Sequence, residues 1–424
     1  MKKTEGFRRS RYLKDGNVEV MAVKDGTQNE ENKMRQEGHI MENKKYIEYI
    51  LEQTKAVLAI DSPSGYTKDA AAYVCQAYRE LGYEPQVTVK GGVLVELGAP
   101  AEGEGSGTAL RTADTKGENQ AELNVTTEKN DTWIESASAG DKGAVLVEAH
   151  LDTLGAMVAE IKSNGRLKLS PLGGLNPNNA EAENCHVITR SGRKYEGTFQ
   201  LADASVHVNG DYSDTKRSYK DMEVVLDEDV DGKEAVLALG ILPGDIVAFE
   251  PRTRITESGY IKSRFLDDKL SVGILLGFAK WMKEENITPS RKIYHHITIY
   301  EEVGHGACGT VPADVTEVLC VDMGCVGEGL NCSERQVSIC AKDSRGPYTY
   351  DVVGALIEAA KRAGVDFAVD VYPHYSSDAD MALLAGHDVR HGLIGAGVYA
   401  SHGYERSHVD GVKNTFALLK EYLK

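Results

Sequence analysis

The segment Gly143–His150, GAVLVEAH, constrains the fold more than any other stretch of the chain. It is apolar on both of the faces between which a strand alternates, and it ends in polar groups. A strand buried on both faces belongs in a parallel or mixed sheet with helices packed over it. The β-branched and aromatic run Ile293–Tyr300 reads the same way, as do TEVLCVDMG and VRHGLIGAG further on. Helical spacing separates these runs. Leu270, Ile274, Leu275, Phe278 and Met282 share one face, a helix is predicted from Tyr350 to Ala363, and another closes the chain over Asn414 to Leu423. Strands alternating with helices predict an α/β fold whose sheet is covered on both faces.

Other segments depart from that rhythm. Residues 1–40 are polar, charged and weakly patterned, and are expected to form a disordered leader. Tyr46, Ile47, Ile50, Leu51, Thr54, Val57 and Leu58 then recur at helical spacing, and Ala70 to Leu81 makes a second helix stopped by Gly82. The stretch 101–142, rich in Gly, Ser, Thr, Glu and Asn, is expected to be a mobile surface insertion. Residues 155–262 switch to strands broken by turns, with hairpins about Asn164-Gly165, Ser191-Gly192 and Ser258-Gly259. The predicted organisation is a catalytic domain in two parts, 41–154 and 263–424, interrupted by a small β-rich domain over 155–262.

Composition narrows the function. The formal net charge of the 424 residues is −17, and basic residues cluster only briefly near the N-terminus, so nucleic acid is not an expected partner. No apolar run reaches the ~20 residues that span a membrane. The basic start MKKTEGFRRSRYLKDG has no apolar segment behind it, so no secretory signal is expected. The seven cysteines are odd in number and form no C-x-x-C pair, which fits reduced thiols and a cytoplasmic location.

Polar groups recur where strands stop. His150 and Asp152 close VLVEAHLD, Asp267 and Asp268 sit in RFLDDK, Glu301 and Glu302 follow Tyr300, Asp322 closes VLCVDMG, and His408 lies in YERSHVD. Singly, each has an ordinary structural explanation, such as an Asp capping the next helix. Together they fall where α/β sheets collect ligands, beyond the carboxyl ends of strands. Adjacent glutamates there are costly unless something positive faces them. Two histidines and several carboxylates can hold a pair of divalent metals, one glutamate binding a metal while its neighbour takes a proton from water. His402 rivals His408, since SHGYERSH offers both.

EAHLDTLGAMV, RFLDDKLSVG, EEVGHGA, CVDMG, SSDAD and ERSHVD, in this order, resemble the glutamyl-aminopeptidase and tetrahedral-aminopeptidase family of co-catalytic dinuclear metallo-aminopeptidases. The resemblance runs from Met41 to Lys424, apart from 101–142. It implies a three-layer α/β sandwich of the zinc-peptidase type, with a central mixed sheet and an inserted small β-barrel, PDZ-like domain used in oligomerisation. It further implies two divalent ions, zinc or cobalt, held by His150, Asp267, Glu302, Asp322 and His408. Asp267 would bridge them, Asp152 would orient His150, Glu301 would be the general base, and Asp268 would be structural. Peptides with a free N-terminus would be the substrates, and the assembly would be a homo-oligomer from dimer to dodecamer. This chain carries Thr153 and Lys269 where many relatives have Glu and Arg. An amidase or deacylase on the same metals, or a non-catalytic scaffold, are the other functions such a site allows. Carboxypeptidase-like enzymes share the motifs, but their extra domain follows the Glu pair, whereas here it precedes Asp267.

Overall fold

The computed structural model describes residues 11–12, 18–19, 44–100 and 143–424. The chain divides into Met1–Lys45 and Tyr46–Lys424. In the first unit Arg11–Tyr12 pairs antiparallel with Val18–Glu19. Apart from those short strands, the leader expected over 1–40 lies outside the described residues, as does the whole insertion expected over 101–142.

The second unit is built on a mixed sheet. Its central path runs Val93–Gly98, Ile293–Thr298, Ala144–His150, Val315–Val321 and Arg390–Tyr399. All seven residues of Ala144–His150 are buried, as two-sided apolarity requires. This strand runs parallel to both neighbours, pairing His150 with Thr298 and Glu148 with Cys320. Val315–Val321 in turn runs parallel to Arg390–Tyr399, with Val321 opposite Ile394. The carboxyl ends of these strands therefore share one edge of the molecule, which gathers His150, Glu301, Glu302 and Asp322 from distant parts of the sequence.

Helices hold that edge rigid. Leu266–Glu284 is buried along most of its length and packs at Gly273 and Gly277 on Ile50 and Thr54 of the helix that runs through residues 46–58. A Cβ on Gly277 would come within 2.2 Å of Ile50 Cγ1, so only glycine lets the two helices approach this closely. Close packing of this kind makes even one added methyl costly, by about 1–3 kcal/mol.

Six further strands, from Gly155–Ile161 through Ile246–Phe249, close into a barrel. Hairpins form about Asn164-Gly165 and Ser191-Gly192 as the turn residues dictate. The third expected hairpin, Arg254–Ile255 with Tyr260–Ser263, joins the main sheet through Glu405–His408 instead of the barrel. Two other elements shift their bounds. The Ile293 strand stops at Thr298 because Tyr300 takes a left-handed conformation, and the last helix begins at Val409. Among the described residues no helix is long and apolar enough to cross a membrane.

Candidate metal centre and active site

His150 ends its strand with the ring buried. Its Nδ1 lies 2.9 Å from the backbone carbonyl of Asp152, and its Nε2 lies 3.0 Å from Asp267 Oδ1. The carbonyl contact fixes the ring, so Nε2 points into the site. Asp267 has a second neighbour: Oδ2 is 3.5 Å from His402 Nε2, which is also 3.6 Å from Glu302 Oε2. One carboxylate thus faces two histidines, one with each oxygen.

The backbone around Asp267 departs from its helix. Phe265 is left-handed, Asp267 and Asp268 have non-helical dihedrals, and the peptide bond between them is cis. Neither acid serves as the ordinary cap that its position before the helix suggests. Asp267 takes its place from Glu405, whose Oε2 accepts the Asp267 N–H while Oε1 accepts that of His402. Asp268 Oδ2 accepts the His150 N–H at 3.1 Å.

Two triads can hold a cation: His150 with Asp267 and Glu302, and His150 with Asp268 and Asp322, each with ligand atoms within 4.8 Å of one another. Asp322 is seated by close backbone packing. Its N–H bonds the Ile394 carbonyl at 3.0 Å, and a Cβ on Gly395 would lie 1.5 Å from the Asp322 carbonyl oxygen. Glu301 Oε2 lies 3.7 Å from His150 Nε2. The Asp152 carboxylate holds the Glu301 backbone: Oδ1 accepts the Glu301 N–H, and Oδ2 accepts the Ser64 hydroxyl.

The electrostatics suit a cation site. Burial raises the pKa of Glu301, Glu302 and Asp268 well above the carboxylate range, reinforced by neighbouring acids, and pushes Asp322 up to about 7. Burial works against His150, yet its hydrogen bond to Asp267 and the charges of Glu301, Asp322 and Asp267 together leave its pKa well raised; burial opposes ionisation of Asp267 too, but the bond to His150 and the nearby His150 and His402 together lower its value. One imidazolium cannot balance so many carboxylates. The buried Asp268 Oδ1 has no hydrogen-bond partner, an orphan that a metal ion would satisfy. The donor set of imidazole and carboxylate suits borderline and hard divalent ions. The residues present therefore fit a divalent metal.

The site opens into a cavity of about 680 Å³ lined by Asp267, Glu301, Glu302, Asp322 and His402. His408, expected as the last ligand, is not among them. The structure instead makes it the N-cap of the final helix: Nδ1 accepts the Asp410 N–H, and Nε2 donates to the Ser258 carbonyl. A histidine at a strand end directly before a helix is in register to cap it, and the strand carries its ring away from Asp267. His402 reaches the site from the preceding turn, where its own φ is 61°. The structure also brings to the site Asp268, expected to be structural, and Glu405, which the sequence reading does not name. The acidic residue three positions after His402 was the available signal for Glu405.

Residues 133–418 match the model of the family described as M42 glutamyl aminopeptidase, which is more than half of the chain. The chain belongs to the M42 family. It is a peptidase. The Bacillus subtilis (strain 168) protein named "Putative aminopeptidase YhfE" is 44% identical over 279 residues, covering 66% of this chain and 81% of that protein. The glutamyl aminopeptidase of Lactococcus lactis subsp. cremoris (strain MG1363) is 22% identical over 256 residues, covering 60% of each. The TET1 peptidase of Pyrococcus horikoshii, described as able to assemble into a tetrahedron or a large octahedral shell, shares the fold with a TM-score of 0.69. The likeness covers 88% of this M42 chain and 98% of that one at 18% identity. In this M42 chain Lys269 is buried, donates to the Ile60 carbonyl at 2.7 Å, and is pushed down by burial to about 7.

Proposed function

We propose that this protein is a dinuclear-metal aminopeptidase that removes N-terminal residues from peptides. The placement of Asp267 between His150 and His402 carries the reading, because a bridging carboxylate must face two ligand sets at once. His150 and Asp322 would hold one cation, with Asp268 beside them. Glu302 and His402 would hold the other, and Asp267 would be shared. Zinc or cobalt fits the imidazole and carboxylate donors.

Two bound cations supply acidified water and a polarised scissile carbonyl. Glu301 takes the proton of the attacking water on its carboxylate and returns it to the nitrogen of the leaving amine. Asp152 holds the Glu301 main chain, so that the base does not drift from His150. The carboxylates lining the cavity attract a free α-ammonium group, which supports exopeptidase over endopeptidase action. The closed barrel is proposed as the oligomerisation domain, PDZ-like in role, of a homo-oligomer between a dimer and a dodecamer. The described assembly of the P. horikoshii neighbour supports this.

The test is hydrolysis of aminoacyl-p-nitroanilides by metal-loaded protein, set against the same compounds with an acetylated amine. Turnover of the free-amine series alone supports the proposal. Turnover of the acetylated series instead overturns it in favour of a deacylase.

A further inference from the structure

The cavity has a second wall of different character. Ser344, Arg345, His374, Tyr375 and Ser376 line the same cavity as the metal-site carboxylates. Two loops make this wall and are tied together. Ser344 Oγ donates to the Pro373 carbonyl and accepts the Tyr375 N–H, while Ser344 N–H donates to the Tyr375 carbonyl. The first loop is folded around buried Asp343, which accepts the N–H groups of Arg345 and Gly346 on Oδ1 and the Tyr348 hydroxyl on Oδ2. The main chain of Arg345 is therefore fixed. Its guanidinium is exposed and, among the described residues, has no salt bridge or side-chain hydrogen bond. The cavity lining thus combines the carboxylates of the metal site with an uncommitted fork of N–H donors.

We propose that Arg345 is a specificity-determining residue that binds a carboxylate of the substrate while the metal side receives its N-terminus. This rests on the aminopeptidase reading and names what the site selects. A guanidinium matches a carboxylate bidentately, and such charge-assisted pairs are about twice as strong as neutral ones. A cavity of about 680 Å³ has room for one or two residues beyond the reacting amide. The carboxylate has two sources: the side chain of an N-terminal Glu or Asp, or the C-terminus of a dipeptide. Either would meet the guanidinium inside the same cavity that holds the metal-site carboxylates.

The test uses full-length, metal-loaded protein and four substrates: Glu-p-nitroanilide, Leu-p-nitroanilide, Leu-Gly, and Leu-Gly amide. The wild type is expected to favour the anionic member of one pair at least tenfold in kcat/KM. Arg345→Gln is expected to abolish that preference through KM, leaving the neutral member within twofold, and Arg345→Lys is expected to restore part of it. Loss confined to the nitroanilide pair identifies the N-terminal side chain, and loss confined to the dipeptide pair identifies the C-terminus. Equal effects of Arg345→Gln on all four substrates, or a wild type without preference, overturn the assignment of Arg345 and leave the aminopeptidase reading intact. No turnover of any substrate by the wild type overturns both.

Discussion

The Asp152 carboxylate accepts the Glu301 backbone N–H at 3.0 Å, so the residue two positions after one proposed metal ligand anchors the proposed base. Meanwhile the Asp152 carbonyl, not its carboxylate, makes the close contact to His150, at 2.9 Å against 3.8 Å. The side chain therefore acts mainly on Glu301. Asp152→Ala is expected to lower kcat by roughly 10–100-fold, the range for support of a metal site, with smaller loss of bound metal. Kinetics and elemental analysis on one preparation check this. Metal loss in proportion to activity would move the role of the carboxylate to His150.

Glu301 lies within reach of His150 and lines the cavity, yet belongs to neither cation-holding triad. Glu301→Gln should keep the metal content and lose activity by about 10²–10⁴-fold, the usual worth of general acid–base catalysis. Near-normal turnover would show that the base is elsewhere.

His402 and His408 should separate cleanly. His402→Ala removes the imidazole facing Asp267 and Glu302, so bound metal should fall by about half, measured by elemental analysis. His408→Ala should retain metal and lower the melting temperature, because it removes a helix cap, worth ~1 kcal/mol, and a partly buried bond to the Ser258 carbonyl. The reverse pattern would return the ligand role to His408.

These two histidines mark where the sequence stops being legible. His150, Asp267, Glu301, Glu302 and Asp322 could be read as a set because each follows a strand or precedes a helix recognisable from its apolar period. His402 sits in a turn with its backbone in a left-handed conformation, which no periodicity reveals. His408 matches the strand-end pattern, but the structure uses its ring to cap the final helix. Asp268 is hidden by its neighbour, since sequence cannot say which of two adjacent acids faces the metal side. The barrel hairpins were legible from Asn-Gly and Ser-Gly turns. That Tyr260–Ser263 pairs with a strand about 150 residues later was not, because pairing partners at that separation leave no local trace.

Lys90 donates to the carbonyls of His305 and Gly306, clamping the loop that follows the two glutamates. From the other side Asp378 Oδ1 accepts the Ala307 N–H at 2.9 Å. Lys90→Met should speed amide hydrogen exchange over 304–307 and lower kcat several-fold at unchanged metal content, with Lys90→Arg recovering most of it. A hydrogen bond from a charged donor is worth about 1.5–3 kcal/mol, enough for that effect. Unchanged exchange in Lys90→Met would show that Asp378 alone fixes the loop.

His186, on the barrel, lies 3.0 Å from Asp61 Oδ2, which also accepts Lys194 Nζ. The hydrogen bond to Asp61 raises the His186 pKa against the opposing effect of burial and of Lys194, with Glu196 adding to the rise. Burial pushes Asp61 up, but its bonds to His186 and Lys194 leave it lowered. A raised histidine contributes its full stability below the unfolded value of about 6.5 and loses it as pH rises through the folded value. A lowered aspartate does the opposite, contributing above about 3.9 and failing as pH falls through its folded value. The contact is therefore strongest in mildly acidic solution and weakens on the alkaline side of about 6.5. In melting curves across pH 6 to 8, wild type should lose stability relative to His186→Gln as pH rises, and the difference should shrink at high salt because both side chains are partly exposed. Parallel curves for the two proteins would show that this pair contributes nothing to holding the barrel against the segment that follows the first helix.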